Sequence, residues 1–249
     1  APETARYYQR TAQLSAAFAL LADVSMLAMG GALKRREKIS ARLGDVLSMM
    51  YLISATLKRY EDTGRIREDL PLVHWSVRDA LWQAQQAIDA IYTNFPVPGL
   101  RALLRWVVFP LGTPFRPPKD RHNHRSAKLV LEPGAARDRL TAGMYLPRGE
   151  ADATGVLEAA FTATVACEPI EKKLRDAVRS GVLLLPRSGV DTAALARDKG
   201  VITAEEHALW QRKERLRKEV IKVDDFPQDF ARAEIVQRLA QEKPVAKAA

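Results

Sequence analysis

The strongest constraint on the fold is a pair of long segments in which apolar residues recur at alternating spacings of four and three. In the first segment these residues are Ile39, Leu43, Val46, Met50, Ile53, Leu57 and Tyr60. In the second they are Val77, Leu81, Ala84, Ile88, Ile91 and Phe95. Because an α-helix has about 3.6 residues per turn, this spacing places each set on one helix face. Such a heptad-like seam packs along antiparallel neighbours, so the two segments predict adjacent helices of a bundle.

A further helix is predicted before this pair, ending where Gly30 and Gly31 favour a break. So many apolar residues surround its main stripe that we expect this helix to be buried on most sides. The second helix of the pair is expected to begin near Asp69, because Pro71 is tolerated in a first turn. Three long helices with short polar turns make residues 1–96 most of an up-and-down bundle.

The last third of the chain carries shorter helical patterns. Pro169 interrupts one of them, which predicts a kink or a new helix start at that point. Asp191 is a predicted N-cap. Thr203 and Glu206 have the spacing of a capping box, which opens a helix expected to end near Val220.

Residues 228–240 are predicted to form one more helix, and no segment shows the period-two alternation of a strand. The predicted class is therefore all-α. We divide the chain into a helical bundle segment (1–96), a proline-rich basic connector with a short amphipathic helix (97–150), and a C-terminal helical segment (151–249). The prolines of the connector favour a boundary there.

The positive charge of the chain is concentrated in the connector. Lys and Arg exceed Asp and Glu by nine over 249 residues, and the connector holds ten basic but only four acidic side chains. A local excess favours a local anionic partner, such as phospholipid or phosphate, and no nucleic-acid partner is predicted. A single cysteine, Cys167, excludes an internal disulfide and favours a reducing compartment. No uncharged apolar run reaches about 18 residues, so no helix is expected to span a bilayer.

The connector contains the main candidate interaction surface. Its short, very apolar helix carries Leu100, Leu103, Leu104, Trp106, Val107, Val108 and Phe109. Arg101 and Arg105 flank this set and can extend their charged groups toward lipid headgroups. Apolar anchors, an aromatic residue and cations together are typical of an interfacial membrane helix. An apolar arm that wraps a neighbouring domain or subunit explains the same residues equally well, so both hypotheses stand.

Two basic clusters are weaker candidates for anion binding. The first consists of Lys34, Arg35 and Arg36, and the second of Lys119, Arg121 and Arg125. The first crowds the predicted start of a helix, where the macrodipole disfavours cations. It either grips an anionic group or forms a solvated helix start paired with nearby acids.

The histidines and the cysteine have structural explanations. His122 and His124 lack the further ligands that zinc requires, so we predict no metal site and expect a loop that contacts phosphate or carbonyl groups. His74 continues the inward face of its helix, which predicts a hydrogen-bonded core or capping residue. His207 is expected on a helix with an exposed charged surface, and Cys167 is expected to be a small buried apolar residue.

Several sequence blocks resemble a known family. Residues 30–48, GGALKRREKISARLGDVLS, and residues 55–62, ATLKRYED, resemble the C-terminal region of FadE-type bacterial long-chain acyl-CoA dehydrogenases. Shorter matches are DRxN at residues 120–123 and VDDF at residues 223–226. The resemblance implies an FAD-dependent oxidoreductase that oxidises the Cα–Cβ bond of a fatty acyl-CoA in the first step of β-oxidation.

The resemblance also implies that the redox chemistry lies elsewhere. In that family a glutamate removes the α-proton and a glycine-rich element helps to hold the flavin, and both are expected upstream of Ala1. Gly30 and Gly31 lack the third glycine of such an element, so neither a catalytic nor a cofactor-binding residue is predicted here. The chain starts with Ala rather than Met, so we expect a piece of a longer protein that is inactive alone.

The resemblance implies an upstream dehydrogenase core and fatty acyl-CoA as partners, and the inner-membrane surface and a second copy in a homodimer are further predicted partners. The implied location is the bacterial cytoplasm, with peripheral attachment to the inner membrane. The alternative function is a stand-alone helical adaptor that binds membrane lipid or a protein partner without any flavin.

Overall fold

A computed structural model describes residues 2–145, 147, 149–184, 191–223 and 236–237. These residues form ten α-helices and no strand, which confirms the all-α class. The chain divides into two compact units, residues 1–142 and 143–249, and each unit has hydrophobic core residues of its own. The three-segment division made from the sequence stays a prediction.

The first unit contains six α-helices. They are α1 (Pro2–Met29), α2 (Glu37–Asp62), α3 (Leu70–Asn94), α4 (Pro98–Val108), α5 (Asp120–Leu131) and α6 (Ala135–Thr141). Every residue of the two four-three seams is buried. The seams of α2 and α3 pack against each other, and α1 packs along α2, which is the bundle that the spacing predicts.

The helix ends follow the predicted signals. α1 ends at Met29, and Gly30, with a φ of 50°, opens a 3₁₀ turn that spans Gly30–Arg35. α3 begins at Leu70 with Pro71 in its first turn, as predicted. The first basic cluster does not crowd the first turn of α2, because Lys34 and Arg35 lie in the 3₁₀ turn before it. The acidic Glu37 occupies that first turn instead, where the macrodipole favours it.

α1 differs from its prediction because only one narrow stripe of it is covered. Leu14, Ala17 and Leu21 are buried, whereas Met26 and Leu27 are exposed. The continuous helical stretch Pro2–Arg35 is long and apolar enough, by length and composition, to cross a membrane. The sequence criterion asked for an uncharged run, whereas this test tolerates the one charged residue in the apolar stretch. The expectation that no helix spans a bilayer stays a prediction. A helix at the edge of a soluble bundle passes the same test.

The connector packs onto the bundle through α3. Gln85, which is 1% exposed, forms hydrogen bonds with both the N–H and the carbonyl of Phe115. Its Nε2 donates to the Phe115 carbonyl at 3.0 Å, and its Oε1 accepts from the Phe115 N–H at 2.8 Å. Trp75 Nε1 donates to Asn123 Oδ1 at 2.7 Å, which fixes α5 to the same helix. The proline-rich segment therefore has a defined path along α3.

The second unit contains α7 (Ala153–Ala166), α8 (Glu168–Arg179), α9 (Thr192–Asp198) and α10 (Ala204–Val220). Pro169 lies in the first turn of α8, so it marks a new helix start rather than a kink. Asp191 accepts bonds from two backbone N–H groups of α9. Thr203 and Glu206 form the predicted capping box of α10. The predicted helix over 228–240 falls outside the described residues, apart from 236–237.

Two polar side chains of α10 are buried in the second unit. His207 lies on the helix with an exposed charged surface, as predicted, but its own side chain is only 6% accessible, and its Nε2 has no hydrogen-bond partner among the described residues. Lys213 pairs with Glu171 at 3.2 Å and Glu214 at 3.1 Å, and its Nζ lies 3.5 Å from the centre of the Trp210 ring. One side of α10 is therefore buried despite the charged sequence of this helix, because its turns contact α7 and α9.

Candidate functional site

One side of α4 faces the bundle. Leu104 and Val108 are buried, and so is Phe109, while Leu100 packs half-buried against the same core. The spacing of four along the helix aligns Leu100, Leu104 and Val108 toward the neighbouring α3. Leu104, Val108 and Phe109 therefore belong to the core, which corrects their assignment to an outward surface.

The other side of α4 presents apolar side chains to solvent. Trp106 is 68% exposed, Leu103 and Val107 are about half exposed, and Leu111, just beyond the helix, is fully exposed. Leu111 was missed from the sequence because it lies outside the helical pattern. The sequence did contain a signal, because Pro-Leu-Gly is typical of a turn whose corner meets solvent. The structure has this turn, with a φ of 85° at Gly112. These four residues are named the outer α4 surface.

Two exposed arginines accompany the outer α4 surface. Arg101 donates through Nη1 to the Thr93 carbonyl at 3.2 Å, which satisfies one of the last carbonyls of α3. Arg105 is exposed and forms no ion pair with any other described residue. At 100° per residue, both arginines lie on the flank of α4 opposite Leu103 and Trp106. The arrangement can bind a surface that is apolar in one part and anionic in another.

The two predicted anion clusters are both solvent-facing at helix starts. Arg36 occupies the N-cap position of α2, and Lys34 and Arg35 precede it. Lys119 occupies the N-cap position of α5, which continues through Arg121 and Arg125. No ion pair neutralises these six cations within the described ranges, so anion binding by them stays a prediction.

The His122 to His124 segment forms the first turn of α5, not the loop expected from the sequence. His122 Nδ1 lies 3.2 Å from the Lys119 N–H, and its Nε2 lies 3.2 Å from Arg78 Nη1. A neutral imidazole accepts at only one nitrogen, so only one of these contacts is a hydrogen bond. Burial lowers the pKa of His122, and the positive charge of Arg78 lowers it further.

His74 is the half-buried, hydrogen-bonded residue that was predicted. Its Nδ1 lies 2.8 Å from the Tyr7 hydroxyl, and burial followed by the charge of Arg78 lowers its pKa. Cys167 is fully buried, and burial raises the pKa of its thiol, as expected for an apolar packing role. Across the described part of the chain, no three metal-ligating side chains come together.

Comparison with family models identifies the family. The model described as "Acyl-CoA dehydrogenase, C-terminal, bacterial type" matches residues 1–226. The chain belongs to this family. The resemblance carried by residues 30–48 and 55–62 is thereby confirmed, and the chain is a C-terminal domain of an oxidoreductase built from several domains. The comparison with solved structures found no match.

Gly30 and Gly31 of this acyl-CoA dehydrogenase C-terminal domain do not fit the glycine-rich element of a flavin site. Gly30 and Gly31 lie in a 3₁₀ turn, and a Cβ at either position would meet open space. A glycine that lets backbone approach a cofactor does so inside a close-fitting cradle, which these two do not form. No flavin-holding role is therefore assigned to them.

Proposed function

We propose that this chain is the C-terminal domain of an FAD-dependent dehydrogenase that oxidises fatty acyl-CoA in the first step of β-oxidation. Family membership and the resemblance of residues 30–48 to long-chain enzymes support the proposal. The base and the flavin-binding residues are assigned to the dehydrogenase core, outside this chain. The domain itself supplies the packing and attachment surfaces of a bacterial cytoplasmic enzyme.

We propose further that the outer α4 surface attaches the enzyme to the inner membrane. The exposed Trp106 carries this proposal, because an amphipathic aromatic ring suits the headgroup region and three exposed apolar neighbours can enter the acyl boundary. Arg101 and Arg105 add about 1 kcal/mol each near an anionic leaflet. Attachment there would place the enzyme where long acyl chains are delivered.

Flotation with vesicles tests this attachment. The full chain is expected to float with phosphatidylglycerol vesicles and to float less with neutral phosphatidylcholine vesicles, since the cations contribute only at an anionic surface. Arg101→Glu/Arg105→Glu should abolish flotation, and Trp106→Ala should weaken it. Arg67→Glu is the matched control, because Arg67 is exposed and forms no ion pair with the other described residues.

If the chain does not float with either kind of vesicle, the membrane proposal is overturned. If the vesicles fail and Trp106→Ala instead dissociates a dimer in gel filtration, the surface is the apolar arm against a neighbouring subunit. Purification of the complete protein without flavin would overturn the dehydrogenase proposal separately and favour the helical adaptor.

We propose that the upstream dehydrogenase core covers the outer side of α2, since the family membership of this chain implies such a core. Leu47 and Tyr51 lie four residues apart on this helix, and both are more than half exposed. Large apolar side chains that share one exposed helix face are typical of a contact surface. Tyr51→Glu in the complete enzyme should lower its flavin content, because the core is then less well supported. An unchanged flavin content, or a shift to a smaller oligomer alone, would contradict the contact with the core.

A further inference from the structure

A cleft rich in arginine lies in the first unit, between α1, α3 and the segment before α5. It encloses about 270 Å³, and its lining includes Arg6, Tyr7, Arg10, Arg78, Phe115 and Arg116. Arg6 and Arg10 are four residues apart, so they share one side of α1. The bonds from Gln85 to Phe115 hold the neighbouring Arg116 at the cleft. Three separate segments of the chain thus bring four arginines together.

The charge of these arginines is not neutralised. None of the four forms an ion pair with a carboxylate in the described ranges, and like charges at a spacing of four destabilise a helix. The charge of Glu3 reaches this region, since it partly opposes the lowering of the His74 pKa, but Glu3 forms no ion pair with these arginines. A protein surface that gathers four guanidinium groups around one cleft without an acid is suited to an anion.

The arginines that are bonded use only neutral partners. Arg78 donates through Nε to the Tyr7 hydroxyl at 3.3 Å and faces His122 Nε2 at 3.2 Å. Arg10 lies 5.6 Å from the centre of the Phe115 ring and donates to Gln13 at 2.9 Å. These contacts orient the guanidinium groups and leave their charge available. The exposed Arg6 and Arg116 form no hydrogen bond or ion pair with the other described residues and can turn toward a ligand.

The number of cations favours phosphate over carboxylate. A phosphate monoester carries nearly two negative charges at pH 7 and offers three acceptor oxygens. Guanidinium groups bind such oxygens in pairs, which a single carboxylate can offer to only one arginine. A cleft of this volume accommodates one or two phosphate groups but not a large ring system.

We propose that this cleft binds the phosphate group of a phosphomonoester or diphosphate ligand through its four arginines. The site is distinct from the outer α4 surface and from the two basic clusters predicted from the sequence. It requires neither membrane attachment nor dehydrogenase activity, so it goes beyond the proposed function.

Calorimetric titration of the full chain with inorganic pyrophosphate tests the proposal. We expect a dissociation constant below about 1 mM at low ionic strength and weaker binding in 0.15 M salt, where charges are screened beyond about 8 Å. Arg6→Gln and Arg116→Gln should each weaken binding about tenfold, since each removes a charge-assisted hydrogen bond. Both residues are exposed, so the variants should keep the helical content of the parent.

Arg67→Gln removes the same charge outside the cleft and should bind pyrophosphate as the parent does. The proposal is overturned if pyrophosphate does not bind, or if Arg6→Gln/Arg116→Gln binds it as tightly as Arg67→Gln. The test does not substitute the half-buried Arg78, because such a variant could fail by unfolding.

Two further arms distinguish the source of the phosphate. Coenzyme A is compared with dephospho-coenzyme A, which lacks one phosphomonoester, and phosphatidylglycerol vesicles are tested with Arg6→Gln/Arg116→Gln. Weaker binding of the dephospho form supports a soluble ligand, and loss of vesicle binding in the double variant supports a lipid headgroup. If only pyrophosphate depends on the cleft, the proposal stands for free phosphate compounds. Failure of vesicle flotation leaves the pyrophosphate and coenzyme A arms unaffected, so the failure of the membrane proposal is distinguishable from the failure of this one.

Discussion

At the scale of single residues, Gln85 is the clearest test of how the connector is held. Its side chain satisfies both the N–H and the carbonyl of Phe115, and all of these groups are buried. Gln85→Leu would leave the N–H and the carbonyl of Phe115 buried without these hydrogen bonds. We expect the free energy of unfolding to fall by about 1–3 kcal/mol, measured by urea denaturation of the full chain.

Gln86→Leu is the matched control, because Gln86 is the exposed neighbour on the same helix. It should change stability by less than about 0.5 kcal/mol. Equal losses for the two variants would mean that the bonds to Phe115 contribute nothing. The sequence contains half of this feature, since a glutamine falls beside an apolar seam, but its partner lies 30 positions away, and no periodic pattern links the two.

Two histidines should make stability depend on pH near neutrality. The pKa values of His74 and His122 are lowered by burial and by the charge of Arg78. The charges of Arg121 and Arg125 lower that of His122 further, whereas Glu3 opposes the shift only at His74. The unfolded chain therefore binds more protons than the folded chain once the pH falls below about 6.5.

We expect the free energy of unfolding to decrease between pH 7.5 and pH 5.5, measured by urea denaturation. His74→Gln/His122→Gln should flatten this dependence, because neither site then gains a proton on unfolding. A parent protein that is more stable at pH 5.5 than at pH 7.5 would contradict the assigned direction of both shifts. An anion in the arginine cleft should reduce the pH dependence, since it favours the charged imidazoles.

At the scale of elements, Cys167 reports on the second unit. It lies fully buried between α7 and α8, and burial raises its thiol pKa. The thiolate is the reactive form, so we expect iodoacetamide to label the native chain far more slowly than the urea-unfolded chain. Fast labelling of the native chain would show that this junction opens readily.

Labelling of the Cys167 thiol also measures how much the capping box of α10 stabilises the second unit. Thr203→Ala removes the acceptor for the Glu206 N–H, which should cost about 0.5–2 kcal/mol. Because labelling requires opening, its rate should rise by about fivefold for each kilocalorie lost. Thr203→Ser keeps the hydroxyl, so its thiol should be labelled at the rate of the parent. Equal labelling rates for Thr203→Ala and Thr203→Ser would show that the cap does not contribute to stability.

The sequence predicted those helices in which an apolar face contrasts clearly with a polar face. α2 and α3 were predicted because polar residues lie between the apolar residues of each seam. α10 was predicted because its capping box is a short, local sequence pattern. α4 is apolar on two sides, so its pattern could not show which side meets the core. α5 reads as a basic loop, and its helix is stabilised by distant contacts such as that of Trp75 with Asn123.

The candidate sites divide in the same way. The apolar character of α4 and the basic runs are local, and the sequence found both. The arginine cleft joins residues 6, 10, 78 and 116, which are spread over three segments, so only the packing of α1 against the bundle and the Gln85 bonds bring them together. Exposure of Leu27 on α1 was equally hidden, because composition does not state how much of a helix its neighbours cover.

At the scale of the whole molecule, the two units predict where the chain can be cut. The bundle core includes Leu104, Val108, Phe109 and Phe115 from the connector, and it ends within residues 1–142. A fragment of residues 1–142 should therefore fold alone, with helical circular dichroism and one cooperative urea transition. A broad, non-cooperative transition would show that the core is incomplete without the second unit.

A fragment of residues 1–96, cut at the boundary predicted from the sequence, is the decisive comparison. It keeps all three long helices but loses the four buried side chains of the connector, each of which contributes about 1.5–3 kcal/mol by burial. Native domains are stable by only about 5–15 kcal/mol in total, so this loss should leave the shorter fragment largely unfolded. If residues 1–96 instead unfold as cooperatively as residues 1–142, the connector is dispensable to the bundle. Its apolar helix would then be free to act wholly as an outward arm.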